Sequence, residues 1–184
     1  MLQTTMRDWN VVVTVREHGY RQAMELLRDF GAVAKTDFFN VLVMRVTDPS
    51  RFIEDLHGCL ESLPGLRTSL ARVMPVTERF SFQSAEEFEG RIKGSVEPWL
   101  PRLAGTAFHV RMHRRGFKGR LSSQSEELFL DRYIVDRLHQ RGQQANIDFS
   151  DPDLIIALET VAQVGGLSLW NREQRQRYPL LKLD

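Results

Sequence analysis

The chain has 184 residues, enough for one domain or two small ones, and with 42% hydrophobic and 27% charged residues it is composed like a folded globular protein rather than a disordered one. No apolar run approaches the roughly 18 residues of a membrane-spanning helix. The single cysteine, Cys59, excludes an internal disulfide and a multi-cysteine zinc site. Arg7 and Asp8 precede any apolar stretch, so the start does not read as a secretory signal and a cytoplasmic protein is expected.

The first 76 residues alternate element types. Trp9–Arg16, rich in Val, reads as a strand. Tyr20, Ala23, Met24, Leu27 and Phe30 fall on one helical face, with Gly31 as the expected C′ residue. Ala32–Thr36 reads as a second strand, Asp37 as a turn residue, and Phe39–Val46 as a third strand. Asp48-Pro49 opens a helix, with Asp48 as N-cap and Pro49 at the first helical position. Pro64-Gly65 stops it, and Thr68–Val76 reads as a fourth strand. The order βαββαβ is that of a ferredoxin-like split unit.

Glu78–Ser84 reads as a junction. Ser84 and Glu87 form a capping box for a helix carrying Phe88 and Ile92, and Pro98 and Pro101 break the helical segment after it. Ala107–Arg114 alternates, with Phe108, Val110 and Met112 on one face and His109, Arg111 and His113 on the other. A second capping box, Ser123 with Glu126, opens a helix to about Gln140 whose apolar face is Leu128, Ile134, Val135 and Leu138; Gly142 ends it. Ala145–Phe149, Leu154–Val161 and Leu167–Trp170 read as strands. The fold class expected is α+β, with a ferredoxin-like domain over residues 1–78 and a second α/β domain over 79–184.

The net charge of +1 predicts no partner, but the charge is unevenly spread. Residues 107–120 hold five basic side chains and no acidic one, with His109 and His113 added. The segment from Arg111 to Ser123 runs from a strand, through a loop punctuated by Gly116 and Gly119, into a helix N-terminus. Guanidinium groups bind phosphate oxygens bidentately, glycines allow close backbone approach, and a helix start offers unpaired N–H groups. Arg111, Arg114, Arg115, Lys118 and Arg120, with His113 and Ser122 beside them, are therefore the candidate phosphate contacts. The bland alternative is a solvated basic loop that caps a helix.

Other chemistry has less support. Gly116-Phe117-Lys118-Gly119 spells the GxxG of KH domains, but that loop lies between two helices and here it comes after a strand. Neither a Walker pattern nor GxGxxG occurs, so no nucleotide cofactor is expected. His109 and His113 lack a nearby carboxylate or thiol in sequence, so no metal site is assigned. Cys59 lies on an apolar helical stripe and reads as a core thiol. Glu159 reads as an outward-facing strand residue, since Leu154, Ile156 and Leu158 define the inner face. Trp170 reads as core.

Three segments together resemble the THUMP-domain family. Phe108-His109-Val110-Arg111-Met112-His113-Arg114-Arg115 is similar to that family's basic strand. Ile147 to Glu159, with its acidic strand end, Pro152 turn and apolar strand, resembles the later pattern, and Gly165 to Trp170 the closing strand. The resemblance covers about residues 80–184, and in that family a ferredoxin-like domain commonly comes first. It implies RNA binding, usually of tRNA held at its acceptor end. Members usually append a modifying enzyme, for which no residues remain here. The chain is thus more similar to the stand-alone adaptor that supports cytidine acetylation of tRNA. The expectation is a non-catalytic tRNA-binding protein with no cofactor, whose partner is a tRNA acetyltransferase or another modification enzyme. One rival is a small acylphosphatase-type enzyme, since Arg16, His18 and Arg21 resemble an anion loop, although Gly19 is the only glycine there. Another is an RNA-binding subunit with a chaperone role.

Overall fold

The computed structural model describes residues 6–183. Two compact units emerge: residues 6–77 joined by 177–182, and residues 78–176. No helix among the described residues is long and apolar enough to cross a membrane.

The first unit runs β1 (Val11–Val15), α1 (Tyr20–Arg28), β2 (Ala32–Lys35), β3 (Val41–Arg45), α2 (Pro49–Ser62) and β4 (Leu70–Pro75), with a 3-10 turn over Pro64–Ser69. Its sheet is antiparallel in the order β2-β3-β1-β4. The valine run of β1 sits at the centre, Val13 opposite both Leu42 and Val73, and a central strand of this kind is buried on both faces. Asp48 caps α2 as expected, accepting from the N–H of Ser50 at 2.9 Å and of Arg51 at 3.1 Å. The end of α1 differs from expectation. Asp29, not the residue before Gly31, is the cap, and Gly31 serves close packing instead: a Cβ there would lie 2.4 Å from the carbonyl oxygen of Arg45. Cys59 is half-buried.

Residues 177–182 complete this unit. Arg177 and the Tyr178 hydroxyl both bond the Glu54 carboxylate, the Tyr178 ring meets His57 edge-on at 5.6 Å, and Arg72 Nε donates to the Leu181 carbonyl at 3.1 Å.

The second unit opens with β5 (Glu78–Ser81), a strand where the sequence suggests a junction. Then come α3 (Ala85–Val96), a 3-10 turn (Glu97–Trp99), α4 (Leu100–Leu103), β6 (Ala107–His113), α5 (Ser123–Gln140), β7 (Asn146–Ile147), β8 (Leu154–Val161), β9 (Val164–Asn171) and α6 (Arg172–Arg177). The sheet order is β5-β9-β8-β6-β7; β6 runs parallel to β7 and β8, and β8, β9 and β5 pair antiparallel. The core packs Phe82, Phe88, Ile92, Val96 and Leu100 with Phe108, Val110, Leu130, Ile134 and Leu138.

The Ser84 capping box forms in its first half: the Ser84 hydroxyl accepts from Glu87 N–H at 3.1 Å, while the Glu87 carboxylate accepts from the N–H of Gln83, one residue before the cap, at 2.9 Å. The second proposed box does not. Ser122 is the N-cap of α5, one residue earlier, and Glu126 turns inward and is buried. That register puts Leu130, Ile134 and Leu138 on the buried stripe and leaves Leu128 48% exposed.

Candidate functional site

The basic segment leaves the end of β6 and is pinned at two points before α5 begins. At the first, the Arg115 N–H donates to the Thr160 carbonyl at 3.1 Å, and the Arg115 carbonyl accepts from Ala162 N–H at 2.9 Å. These bonds tie the loop to the turn between β8 and β9. At the second, the Phe117 side chain is buried, its ring 4.9 Å from that of Phe82. Between and beyond these points the backbone is left-handed, with φ of +100° at Gly116, +53° at Phe117 and +79° at Gly119. A positive φ at a bulky residue is an outlier, held here by the burial of the Phe117 ring. At Gly116 a Cβ would also lie 3.1 Å from the Ala162 Cα, so glycine answers both space and conformation.

The seven predicted site residues separate by environment. Arg111, Lys118 and Arg120 are exposed, and Ser122 is exposed as the N-cap, its hydroxyl accepting from Ser125 N–H at 3.4 Å. The Arg120 guanidinium stacks over the Phe117 ring at 4.1 Å, which orients it beside the helix start. Arg114 is half-buried and one guanidinium nitrogen donates to the Gly116 carbonyl, bracing the turn while its charge stays at the rim. Arg114, Arg120, Ser122, Ser123, Ser125 and Glu126 line an open cleft of about 490 Å³ at the N-terminus of α5.

Arg115 and His113 differ from expectation. The Arg115 side chain is 13% exposed and its guanidinium sits 2.7 Å from the Glu159 carboxylate, while His113 Nδ1 lies 3.6 Å from the other Glu159 oxygen. Glu159 is fully buried, not outward-facing. Parallel pairing sets His113 opposite Glu159, so the end of β6 and the end of β8 bring base and acid together. An alternating reading assumes a wet face; β8 has none, being buried at all eight positions. Arg115 is therefore an internal counter-ion, not an exposed phosphate ligand.

His109 also departs from simple polar exposure. It is buried, its Nδ1 lies 3.2 Å from the Val110 carbonyl, its ring lies 5.3 Å from that of Phe149, and burial holds its pKa below the usual imidazole value.

Sequence reasoning missed the carboxylates of α5. Beyond the short β7, the edge of β6 has N–H groups at Val110 and Met112, which donate to Asp131 at 3.0 Å and Glu127 at 2.7 Å. Burial pushes the Asp131 carboxyl up to about 7, with the Glu127 charge adding to it. Burial and the Glu89 charge likewise push Glu126 up to about 7. The signal was present: Glu126 lies on the same i, i+4 row as Leu130, Ile134 and Leu138, an acid on an apolar stripe. At the far end of α5, Glu97 accepts from the Tyr133 hydroxyl at 2.5 Å, Arg137 Nε at 2.7 Å and Arg141 at 2.9 Å, which hold its carboxyl down at about 2. No group of three or more His, Cys, Asp or Glu that could hold a metal occurs among the described residues.

In the first unit, Arg16 Nε donates to the Leu70 carbonyl at 3.1 Å, and the exposed His18 lies 3.8 Å from Glu17 with φ of +64°.

No protein-family model matches the chain, and no curated protein matches it in sequence. Solved structures do. PH1313 from Pyrococcus horikoshii Ot3 superposes with a TM-score of 0.60 at 12% identity, over 88% of this chain and 54% of that one. TrmN from Thermus thermophilus gives 0.54 at 13%, over 88% and 44%. A 4-thiouridine synthetase solved with RNA and bound ATP gives 0.52 at 12%, over 89% and 42%. The chain thus spans about half the length, or less, of the structures it matches. At these identities the likeness shows the fold, which is α+β and THUMP-like.

Proposed function

We propose that this chain is a tRNA-binding module without catalytic activity of its own, which presents tRNA to a separate modification enzyme. In this reading residues 1–78 are a ferredoxin-like domain and residues 79–184 a THUMP domain that takes the acceptor end. The observation that carries it is the pinned basic loop. Its backbone is fixed by Arg115, Gly116 and Phe117, and it presents Arg114 and Arg120 at a helix N-terminus, with Lys118 exposed in the same loop and Arg111 exposed on β6 before it. A loop that only solvated itself would need neither the left-handed Phe117 nor the Arg120 stack. One neighbour of the same fold is a 4-thiouridine synthetase solved with RNA, which supports RNA as the ligand class.

The test is a salt titration of tRNA affinity. For Z phosphate contacts to single-stranded RNA the log–log slope is about −0.7Z, so four contacts give about −3. A variant with Arg111, Arg114, Lys118 and Arg120 all changed to alanine flattens that slope and weakens binding to all tRNA sequences alike, because phosphate contacts carry little sequence information. Equal slopes with equal melting temperatures would refute the site. Incubation of the purified chain with tRNA and common group donors, then nucleoside mass spectrometry, yields no new nucleoside if the chain is an adaptor.

A further inference from the structure

The cleft at the start of α5 contains a side chain that phosphate binding does not explain. Glu126 is 5% exposed and lines the same cleft as Arg114 and Arg120. Its Oε2 is buried and accepts no hydrogen bond among the described residues. Leaving a buried acceptor unsatisfied is costly, and a carboxyl next to a phosphate repels it. The charged groups facing Glu126 work in opposite senses: Glu89 of α3 disfavours its ionised form, whereas Arg114 and Arg120 across the cleft attract anions.

One ligand class satisfies both ends of the cleft. It must carry a phosphate for the guanidinium groups and a hydrogen-bond donor for the carboxyl. We propose that the cleft binds a single unpaired nucleotide, its phosphate toward Arg114 and Arg120 and the exocyclic amino group of its base on Glu126. The proposal rests on the RNA-binding reading and adds a base preference to it. A carboxyl oxygen accepts a hydrogen bond whether the group is ionised or neutral, so the amino group is recognised in either state. Cytosine and adenine carry that amino group on the Watson–Crick edge, and Glu accepting from cytosine N4 is an established pairing geometry. Uracil offers a carbonyl at the same place, which sets acceptor against acceptor once Glu126 is ionised, above its raised value of about 7. The hydroxyls of Ser122, Ser123 and Ser125 line the remaining rim, where donors and acceptors both serve a nucleotide's sugar and phosphate.

The experiment uses the full chain and three fluorescently labelled probes, pentacytidylate, pentaadenylate and pentauridylate, with affinities read by anisotropy at fixed salt and pH 8.5, where Glu126 is ionised. The wild type should bind the cytidine and adenosine probes at least about fivefold more tightly than the uridine probe, the low end of what one base-edge contact discriminates. Glu126→Leu should bring the three probes to within about twofold of each other, by loss of that one contact, without weakening the uridine probe. Glu126→Gln keeps nearly the same volume but adds an amide donor for the uracil carbonyl, so it should raise the uridine probe toward the other two even if the leucine variant melts early. Equal wild-type affinities for all three probes, with the basic-loop salt slope intact, would overturn the proposal while RNA binding stands. A base ranking that survives Glu126→Leu would overturn it too, by locating the reader elsewhere. Failure of every probe and of tRNA to bind would overturn both readings.

Discussion

Changing Arg115 to alanine separates the internal residues of the basic loop from its outward ones. An exposed loop arginine would alter stability by less than about 0.5 kcal/mol. Arg115 instead holds its guanidinium 2.7 Å from the fully buried Glu159 carboxylate. Breaking a buried ion pair by removing one member costs about 3–5 kcal/mol, because the remaining charge stays in a poorly solvating place. The low end applies, about 3 kcal/mol, since the Arg115 side chain keeps 13% exposure and the site is not wholly closed to water. For a chain of this size each kcal/mol moves the melting temperature by roughly 2–4 °C, so Arg115→Ala should melt about 6–12 °C lower. The assay is thermal unfolding monitored by circular dichroism near pH 7.5, with the double variant Arg115→Ala/Glu159→Gln alongside. The double variant removes the stranded charge and should melt above the single one. A single variant melting within about 1 °C of wild type would refute the assignment, since a loss that small is what a solvated arginine gives.

The geometry dictates two further outcomes. Gly116→Ala places a Cβ 3.1 Å from the Ala162 backbone at a φ of +100°, so it should destabilise by at least about 1 kcal/mol and lower RNA affinity by loosening the loop; an unchanged melt would show that the loop is not pinned there. Truncation after Gln176 removes the Leu181 carbonyl from Arg72 and Tyr178 from Glu54 and His57, so unfolding monitored at Trp9 should shift to lower denaturant; an unmoved midpoint would show that residues 177–182 merely lie on the surface.

Local signals survived translation into structure where one residue type has one good use. Asp48-Pro49 and Ser84 with Glu87 became caps because only a side-chain acceptor at that point satisfies the first N–H groups. The valine run became a strand, and the glycines of the basic loop became left-handed turns. What failed were the judgements of polar residues on the far side of a strand or helix. Glu159 and His109 sit on the second face of a sheet, and polarity suggested water there; burial of that face set them to pairing with Arg115, His113 and Phe149 instead. The two capping serines, Ser122 and Ser123, are adjacent and chemically alike, so pattern alone could not choose the register that turns Glu126 inward. The short strand β5 leaves almost no periodicity to read and acquires its identity from its partner β9, whereas β7 lies inside the strand read over Ala145–Phe149. For the site, the basic segment was visible as composition, but its division into outward Arg111, Lys118 and Arg120 and inward Arg115 needed long-range pairing.

The acidic face of α5 gives the last test. Asp131 is buried, accepts from the Val110 N–H, and has its carboxyl pushed up to about 7, against a value near 4 in an unfolded chain. Between those values the folded state holds a proton that the unfolded state has released. Stability from this group is therefore complete below about pH 4 and is lost as pH rises through about 7. The full swing is about 4 kcal/mol at most, reduced wherever relaxation lets water reach the charge. Asp131→Asn cannot ionise and keeps an oxygen for Val110, so it should melt close to wild type near pH 4 and progressively above it toward pH 8. Glu126, raised in the same direction by burial and Glu89, tilts both proteins equally and cancels in the comparison. The measurement is the difference in melting temperature between Asp131→Asn and wild type at several pH values. A difference that stays constant from pH 5 to pH 8 would mean that Asp131 is ionised throughout, and that the edge of β6 is closed by a full charge rather than by a carboxyl poised to lose its proton.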